Sequence, residues 1–213
     1  MTPSTSRPAA RPAAAVPATA RGADRRQAIL DAALAVFLER GFDAATIEAV
    51  RDRSGASTGS IYHFFGSKER LAAALYGSAL ADYEQGVVAL LAPDPAPAAG
   101  VRALVRHHLR WVEQRPELAR FLFARRSSAV RAASADEVER INARAADALA
   151  AWAAPHVRAK HLRRLPPELF RAILLGPAQE FARAWLRDAA DSTIEQATRA
   201  FGAAAVAALV LDA

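Results

Sequence analysis

TIEAVRDRSGASTGSIYHFFGSKERL, residues 46–71, holds two short helical patterns separated by a glycine turn. Thr46 stands where an N-cap accepts one of the free N–H groups of a helix start, and Ile47 and Val50 are the inward residues of that helix. Ser54-Gly55-Ala56 interrupts it, and Ser57 caps a second helix over about residues 58–64. Two short helices joined by a small turn containing glycine form a helix-turn-helix, whose second helix lies in the major groove of DNA. Ile47, Val50 and Ile61 pin the crossing, which leaves Thr58, Gly59, Ser60, Tyr62 and His63 to face a groove.

Plainer readings stand beside these. Ser57 serves as an N-cap whether or not it touches DNA. Tyr62 and His63 read equally well as surface aromatics whose rings cover the core. Gly59 is harder to account for by folding alone, because glycine inside a helix costs about 1 kcal/mol relative to alanine. Close approach of a phosphate or base edge to the backbone explains it.

Working outward, Leu30, Ala33, Leu34 and Phe37 mark a helix that begins after Gly22 with Asp24 as its cap and ends at Gly41. Gly66-Ser67 separates the second short helix from a long one running from Lys68 to Leu91, with Leu71, Leu75, Ala79 and Tyr83 on one face. Pro93, Pro95 and Pro97 then force a loop. Helices follow over about residues 98–114, from Pro116, over about 135–157, over 167–187 and over 192–211. Pro116 and Pro167 suit a first helical turn. Gly176-Pro177 is expected to kink or split its helix. The fold class is therefore all-α, with about nine helices: an arm over 1–22, a three-helix helix-turn-helix domain over 23–70, and a larger helical domain over 71–213.

Composition supports this outline. Alanine dominates a 53% hydrophobic fraction and favours helix, and no stretch sustains the period-two alternation of a strand. The net charge of +6 suits a polyanionic partner such as nucleic acid or an acidic membrane surface. The chain has no cysteine, so thiolate zinc sites and cysteine nucleophiles are excluded, and a reducing cytoplasm fits. The longest apolar run, Phe201 to Leu211, falls short of the roughly 20 residues of a bilayer span, so no membrane partner is expected. The first 22 residues lack an apolar core for a signal peptide, and Pro3, Pro8, Pro12 and Pro17 break any amphipathic helix, which makes a disordered arm the expectation. Its Arg7, Arg11 and Arg21 either belong to that leader alone or track the DNA backbone.

The runs 46–50 and 54–71, with the preceding Arg25, Ile29, Leu30, Ala33, Phe37 and Gly41-Phe42, resemble the N-terminal signature of TetR/AcrR transcription regulators over about residues 24–75. The resemblance implies that Thr58, Gly59, Ser60 and His63 meet bases or the adjacent backbone, while Thr46, Ser57, Tyr62 and Lys68 hold phosphates. Lys68 also sits at a helix N-terminus, where phosphates find free N–H groups. This sequence departs from the family at Arg51 and Ser54, where alanine is common, and at Phe64, where His or Tyr is common. Phe64 removes a usual hydrogen-bond donor or hands that contact to His63.

From residue 76 onward the resemblance implies a ligand-binding and dimerisation domain, with the last two helices pairing in a homodimer. Phe170, Ile173, Leu174, Phe181 and Trp185 on one helix, and Ile194, Ala197, Phe201, Ala205 and Ala208 on the other, offer the apolar surfaces, although an intramolecular core reads the same way. Tyr76, Tyr83, His107, Trp111, Phe121, Phe123 and Trp152 are the candidate pocket residues, and plain core packing is their alternative. If they line a pocket, its wall is mainly apolar and suits a hydrophobic or aromatic effector. Neither His107 with His108 nor His156 with His161 is spaced for a metal, and no cofactor is implied. Arg158, Lys160, Arg163 and Arg164 cluster at a helix end, where the helix dipole is sufficient explanation.

No P-loop, dinucleotide fingerprint or nucleophile elbow occurs, so an enzyme is not expected. The reading is a dimeric repressor released from double-stranded operator DNA by a small molecule. A helical scaffold whose helix-turn-helix meets protein is the alternative, and salt-dependent affinity for duplex DNA separates the two.

Overall fold

The computed structural model describes residues 18–124 and 127–211, and over these it is built of nine helices with no strand. They are α1 (Ala18–Ala44), α2 (Ile47–Ser54), α3 (Thr58–Phe65), α4 (Lys68–Leu91), α5 (Pro97–Gln114), α6 (Pro116–Phe123), α7 (Ser128–Arg158), α8 (Pro167–Trp185) and α9 (Ile194–Leu209). The all-α class and the helix count agree with the sequence.

Several boundaries differ, each for a local reason. α1 starts at Ala18, not at Asp24, because Gly22 weakens a helix without stopping one and Pro17 is the last residue that would break it. The expected arm therefore loses residues 18–22 to helix, and Arg7 and Arg11 lie outside the described residues. Gly41, at φ +74°, turns the chain out of helical geometry as expected. α7 starts seven residues before Ala135, because the Ser127 hydroxyl accepts the Val130 N–H at 3.2 Å. α8 continues through Gly176-Pro177 as one helix. The hydrogen bond that Pro177 cannot make would have run to Ile173, and both residues lie on the exposed side of α8, where open space surrounds Gly176. α9 is held by a capping box in which Thr193 and Gln196 accept each other's backbone N–H.

Two cores form. In the first, Ile29, Leu30, Ala33, Val36 and Phe37 of α1 close over Ile47 and Val50 of α2, Ile61 and Phe65 of α3, and Leu71 and Leu75 of α4. In the second, α5 is central, with Val101, Leu104, Val105, Leu109 and Val112 buried among Phe170, Leu174, Ala178, Ala197 and Leu209 of α8 and α9. Long α4 belongs to both, and α7 packs along it. At the far end, the stretch after α7 pairs with the end of α9: Arg163 N–H donates to the Leu209 carbonyl and Leu211 N–H to that of His161, each at 2.9 Å. Among the described residues no helix is long and apolar enough to cross a membrane.

Candidate nucleic-acid interface and the cavity behind it

The helix-turn-helix is built from satisfied local bonds. Thr46 Oγ1 accepts the Ala49 N–H at 3.2 Å, and Ser57 Oγ accepts the Ser60 N–H at 3.1 Å. In the turn Gly55 sits at φ +66° and donates its N–H to the Arg51 carbonyl at 3.0 Å, a left-handed cap that glycine takes without strain. Ser54, a departure from the family pattern, has a role here: its hydroxyl accepts the Ala56 N–H at 3.2 Å. Arg51 pairs with the neighbouring Asp52 on the surface, and Arg53 pairs with Glu39 of α1.

The inner side of α3 is closed, with Ile61 1% and Phe65 6% exposed. Its outer side is open. Tyr62 is 48% exposed, His63 and Gly59 are exposed, and Thr58 and Ser60 are half-buried. A Cβ on Gly59 would meet only Ser57 Oγ at 4.0 Å, so nothing among the described residues requires glycine there. Phe64 is half-buried, edge-on to His63 with 5.6 Å between ring centroids.

Lys68 is placed differently from the phosphate-holding role that the resemblance implies. Its ammonium donates to the carbonyls of Phe42 (3.0 Å), Asp43 (3.3 Å) and Ala45 (3.0 Å), and lies 4.6 Å from the centre of the Phe42 ring. All three N–H donors are therefore spent on the carbonyls left free where Gly41 breaks α1. At the same helix start Ser67, not singled out in the sequence, accepts the Arg70 N–H at 3.2 Å. A serine directly before a helical pattern was the available signal. The Glu69 carboxyl is held below its usual range by its own backbone N–H, followed by the Ser67 hydroxyl.

Behind this unit lies a cavity of about 380 Å³ bounded by α4, α5, α6, α7 and α8. Of the candidate pocket residues, Tyr76, Tyr83, Trp111 and Phe123 line it. His107, Phe121 and Trp152 do not. His107 packs over Gly86 and bonds the Tyr83 carbonyl at 2.9 Å, and burial lowers its pKa. Trp152 is packed against Gly100, where any side chain would collide with its ring, and donates to the Pro95 carbonyl at 2.8 Å. Phe121 turns toward the first core, stacked on Phe37 at 6.0 Å and tilted against Tyr76 at 6.4 Å.

The cavity wall is less apolar than its aromatics suggested. Leu80, Val87, Leu104 and Leu149 stand beside Glu84, His108, Asn142, Arg171, Gln179 and Arg183. Glu84 lies one turn from Leu80 and Val87, and His108 one turn from Leu104 and Val112, so these polar residues interrupt apolar faces that the sequence reading followed through their aromatics alone. Burial raises the Glu84 carboxyl to about 7 and lowers the His108 imidazole to about 4. His108 Nδ1 meets the Tyr83 hydroxyl at 3.1 Å, and its Nε2 is buried without a partner among the described residues. Trp111 is oriented by Asp82, which accepts from its Nε1 at 2.8 Å and from Arg115 at 3.0 Å. Partial burial pushes the Asp82 carboxyl up, but these bonds and the Arg115 charge outweigh it and leave the group below its usual range.

Of the ten residues offered for a dimer surface, Phe170, Ile194 and Ala197 are buried in the chain's own second core, and Leu174 and Ala205, also buried there, reach the groove between α8 and α9 from beneath. Phe181 and Trp185 are half-buried, and Phe181 packs on Phe201 at 5.7 Å. What remains outside is a shallow apolar groove of about 400 Å³ between α8 and α9, lined by Leu169, Ile173, Pro177, Phe201, Ala204 and Ala208. Leu169, 50% exposed, was missed, although Leu169, Ile173 and Pro177 recur at four-residue spacing.

Residues 29–75 match the family model described as bacterial regulatory proteins, tetR family. The HTH-type transcriptional regulator BetI of Rhizobium meliloti is 36% identical over 112 residues, which cover 50% of this chain and 55% of BetI. The HTH-type transcriptional repressor KstR2 of Mycobacterium tuberculosis is 45% identical over 47 residues, 22% of this chain and 24% of KstR2. The chain thus spans about half the length of the first of these curated relatives and about a quarter of the other. The crystal structure of a TetR family transcription regulator from Marinobacter aquaeolei superposes with a TM-score of 0.74 at 20% identity, covering 91% of this chain and 100% of that one.

Proposed function

We propose, from the premise that residues 29–75 make this chain a member of the TetR family of bacterial regulatory proteins, that it is a DNA-binding transcription regulator acting in the cytoplasm as a homodimeric repressor. One observation carries this reading: α3 is pinned from behind by Ile61 and Phe65 and turns Gly59, Tyr62 and His63 outward. That face suits a major groove, with Thr58, Gly59, Ser60 and His63 toward bases and Thr46, Ser57 and Tyr62 toward phosphates. Lys68 instead fixes α4 to the end of α1.

One short helix reads few bases, so recognition needs two half-sites and a two-fold partner. The exposed groove of Leu169, Ile173, Pro177 and Phe201 is the surface that pairs, because large apolar groups in open water favour burial. The cavity among α4, α5, α7 and α8 takes a small-molecule effector. Its Tyr76 touches Phe121, which stacks on Phe37 beneath the reading unit, so a ligand that moves α4 also moves α1. Release of DNA requires only that the ligand bind one arrangement of the dimer better than the other.

The test is selection of bound fragments from the parent genome by the full chain, followed by footprinting. Two protected half-sites one helical turn apart, or a multiple of it, are expected. A Leu169→Asp, Ile173→Asp double variant is expected to sediment as a monomer and lose most of its affinity. Binding that ignores sequence, or a variant that stays dimeric and binds as before, contradicts the reading and leaves a helical scaffold in its place.

A further inference from the structure

The cavity holds an unusual set of free polar groups. Half-buried Glu84 of α4, Asn142 of α7 and Gln179 of α8 converge on it with exposed Arg171 of α8, and none has a hydrogen bond or close ion pair among the described residues, although the Arg171 charge is felt at Glu84. Elsewhere in the wall polar groups are used: Arg183 donates to the Phe123 carbonyl at 3.3 Å and lies 5.0 Å from that ring, and Tyr83 meets His108. Polar groups left without protein partners in a half-closed, largely apolar space are commonly the groups that orient a ligand.

The sign of the ligand follows from the charges. Two guanidiniums, Arg171 and Arg183, share the wall with one carboxyl, Glu84, which burial raises to about 7 against the opposing pull of the Arg171 charge. The wall is net positive before anything binds. Arg171, Gln179, Leu149 and Leu175 are also shared with a second, outer cavity of about 890 Å³ between α7 and α8, edged by Arg158, Arg163 and Arg164 against the single acid Glu168. An approaching anion is therefore attracted at the mouth and again at the junction, whereas a cation is repelled at both.

We infer that the molecule taken by this cavity is an amphipathic carboxylate, its acid group held by Arg171 with Gln179 and Asn142, its apolar part against Leu80, Val87, Leu104 and Leu149. This narrows the hydrophobic or aromatic effector suggested by the aromatics, and it rests on the reading of this cavity as the effector site. Arg171 supplies two parallel N–H donors, the geometry a carboxylate accepts best. Glu84 stands opposite as the group that takes a proton when the second negative charge arrives.

The experiment is calorimetric titration of the full chain with decanoate, decanol and decylamine, three probes of one chain length and different head charge. Decanoate is expected to bind at least about tenfold tighter than decylamine, a difference of about 1.4 kcal/mol. Arg171→Gln, at an exposed position, is expected to melt like the parent and to lose that preference. Equal or tighter binding of decylamine, no binding of decanoate, or an undiminished preference in Arg171→Gln overturns the inference. Adding each probe to the DNA complex separates the two readings. Acid-selective binding that leaves DNA bound refutes the effector role while keeping the ligand class, and release by decylamine in place of decanoate does the reverse.

Discussion

The two halves of this molecule treat their polar groups in opposite ways. Around the helix-turn-helix, Thr46, Ser54, Ser57, Ser67 and Lys68 are each bonded to backbone, and the helices close on one another over a shared apolar core. In the larger helical body, Glu84, Asn142, Arg171 and Gln179 are left unbonded around a cavity, and α7 leans on α4 while standing away from α8. A saturated unit holds a fixed shape, as reading a groove requires. An unsaturated one has free energy still to gain from a guest.

The largest expected effect tests the saturated side. Ile61→Ala removes a side chain that is 1% exposed beneath the reading helix and is expected to destabilise the chain by about 2–5 kcal/mol, seen as a fall in the denaturant midpoint. A loss well below that range means the unit is looser than described.

Lys68→Met sharpens the contrast further. It leaves three carbonyls without their donor, and a loss of about 1–3 kcal/mol in stability is expected. The salt dependence of DNA binding decides between the two roles of this residue. The slope is expected to stay unchanged, whereas a lysine resting on phosphate in each half-site of the dimer would lower it by about two.

On the unsaturated side the expected effect is smaller and depends on pH. Because the Glu84 carboxyl is raised to about 7 from 4.5 in the folded chain, the folded state holds a proton that the unfolded state has released, and stability falls as pH rises through that window. His108, lowered to about 4, acts in the opposite sense, losing stability as pH falls from 6.5 toward 4. Glu84→Gln is expected to be more stable than the parent at pH 8, by on the order of 2 kcal/mol at most, and equal to it near pH 4. Melting curves at the two pH values check this.

The same contrast explains what the sequence disclosed. The reading unit was legible almost residue by residue because each device in it is local: a cap, a glycine turn, an apolar residue one helical turn from the next. Lys68 escaped because its partners lie 23 to 26 residues away, at a helix end whose free carbonyls no pattern displays. The body was legible only as helices. Its aromatics gave a partly correct cavity, since Tyr83 and Trp111 sit on faces that meet while Trp152, on the same kind of stripe, is simply packed on Gly100. Its dimer candidates mixed two faces of α8, and only burial distinguishes Phe170 and Leu174, turned inward, from Leu169 and Ile173, turned out.

The outward face of α3 is the claim on which the rest depends, and Gly59→Ala tests it most directly. Nothing among the described residues crowds that position, so alanine is expected to keep or raise the melting temperature, helix propensity adding up to about 1 kcal/mol. Affinity for the operator is expected to fall about tenfold or more, the cost of a base or phosphate pushed off the backbone. A Gly59→Ala chain that is stable and binds its operator as tightly as the parent would contradict the placement of this face on DNA.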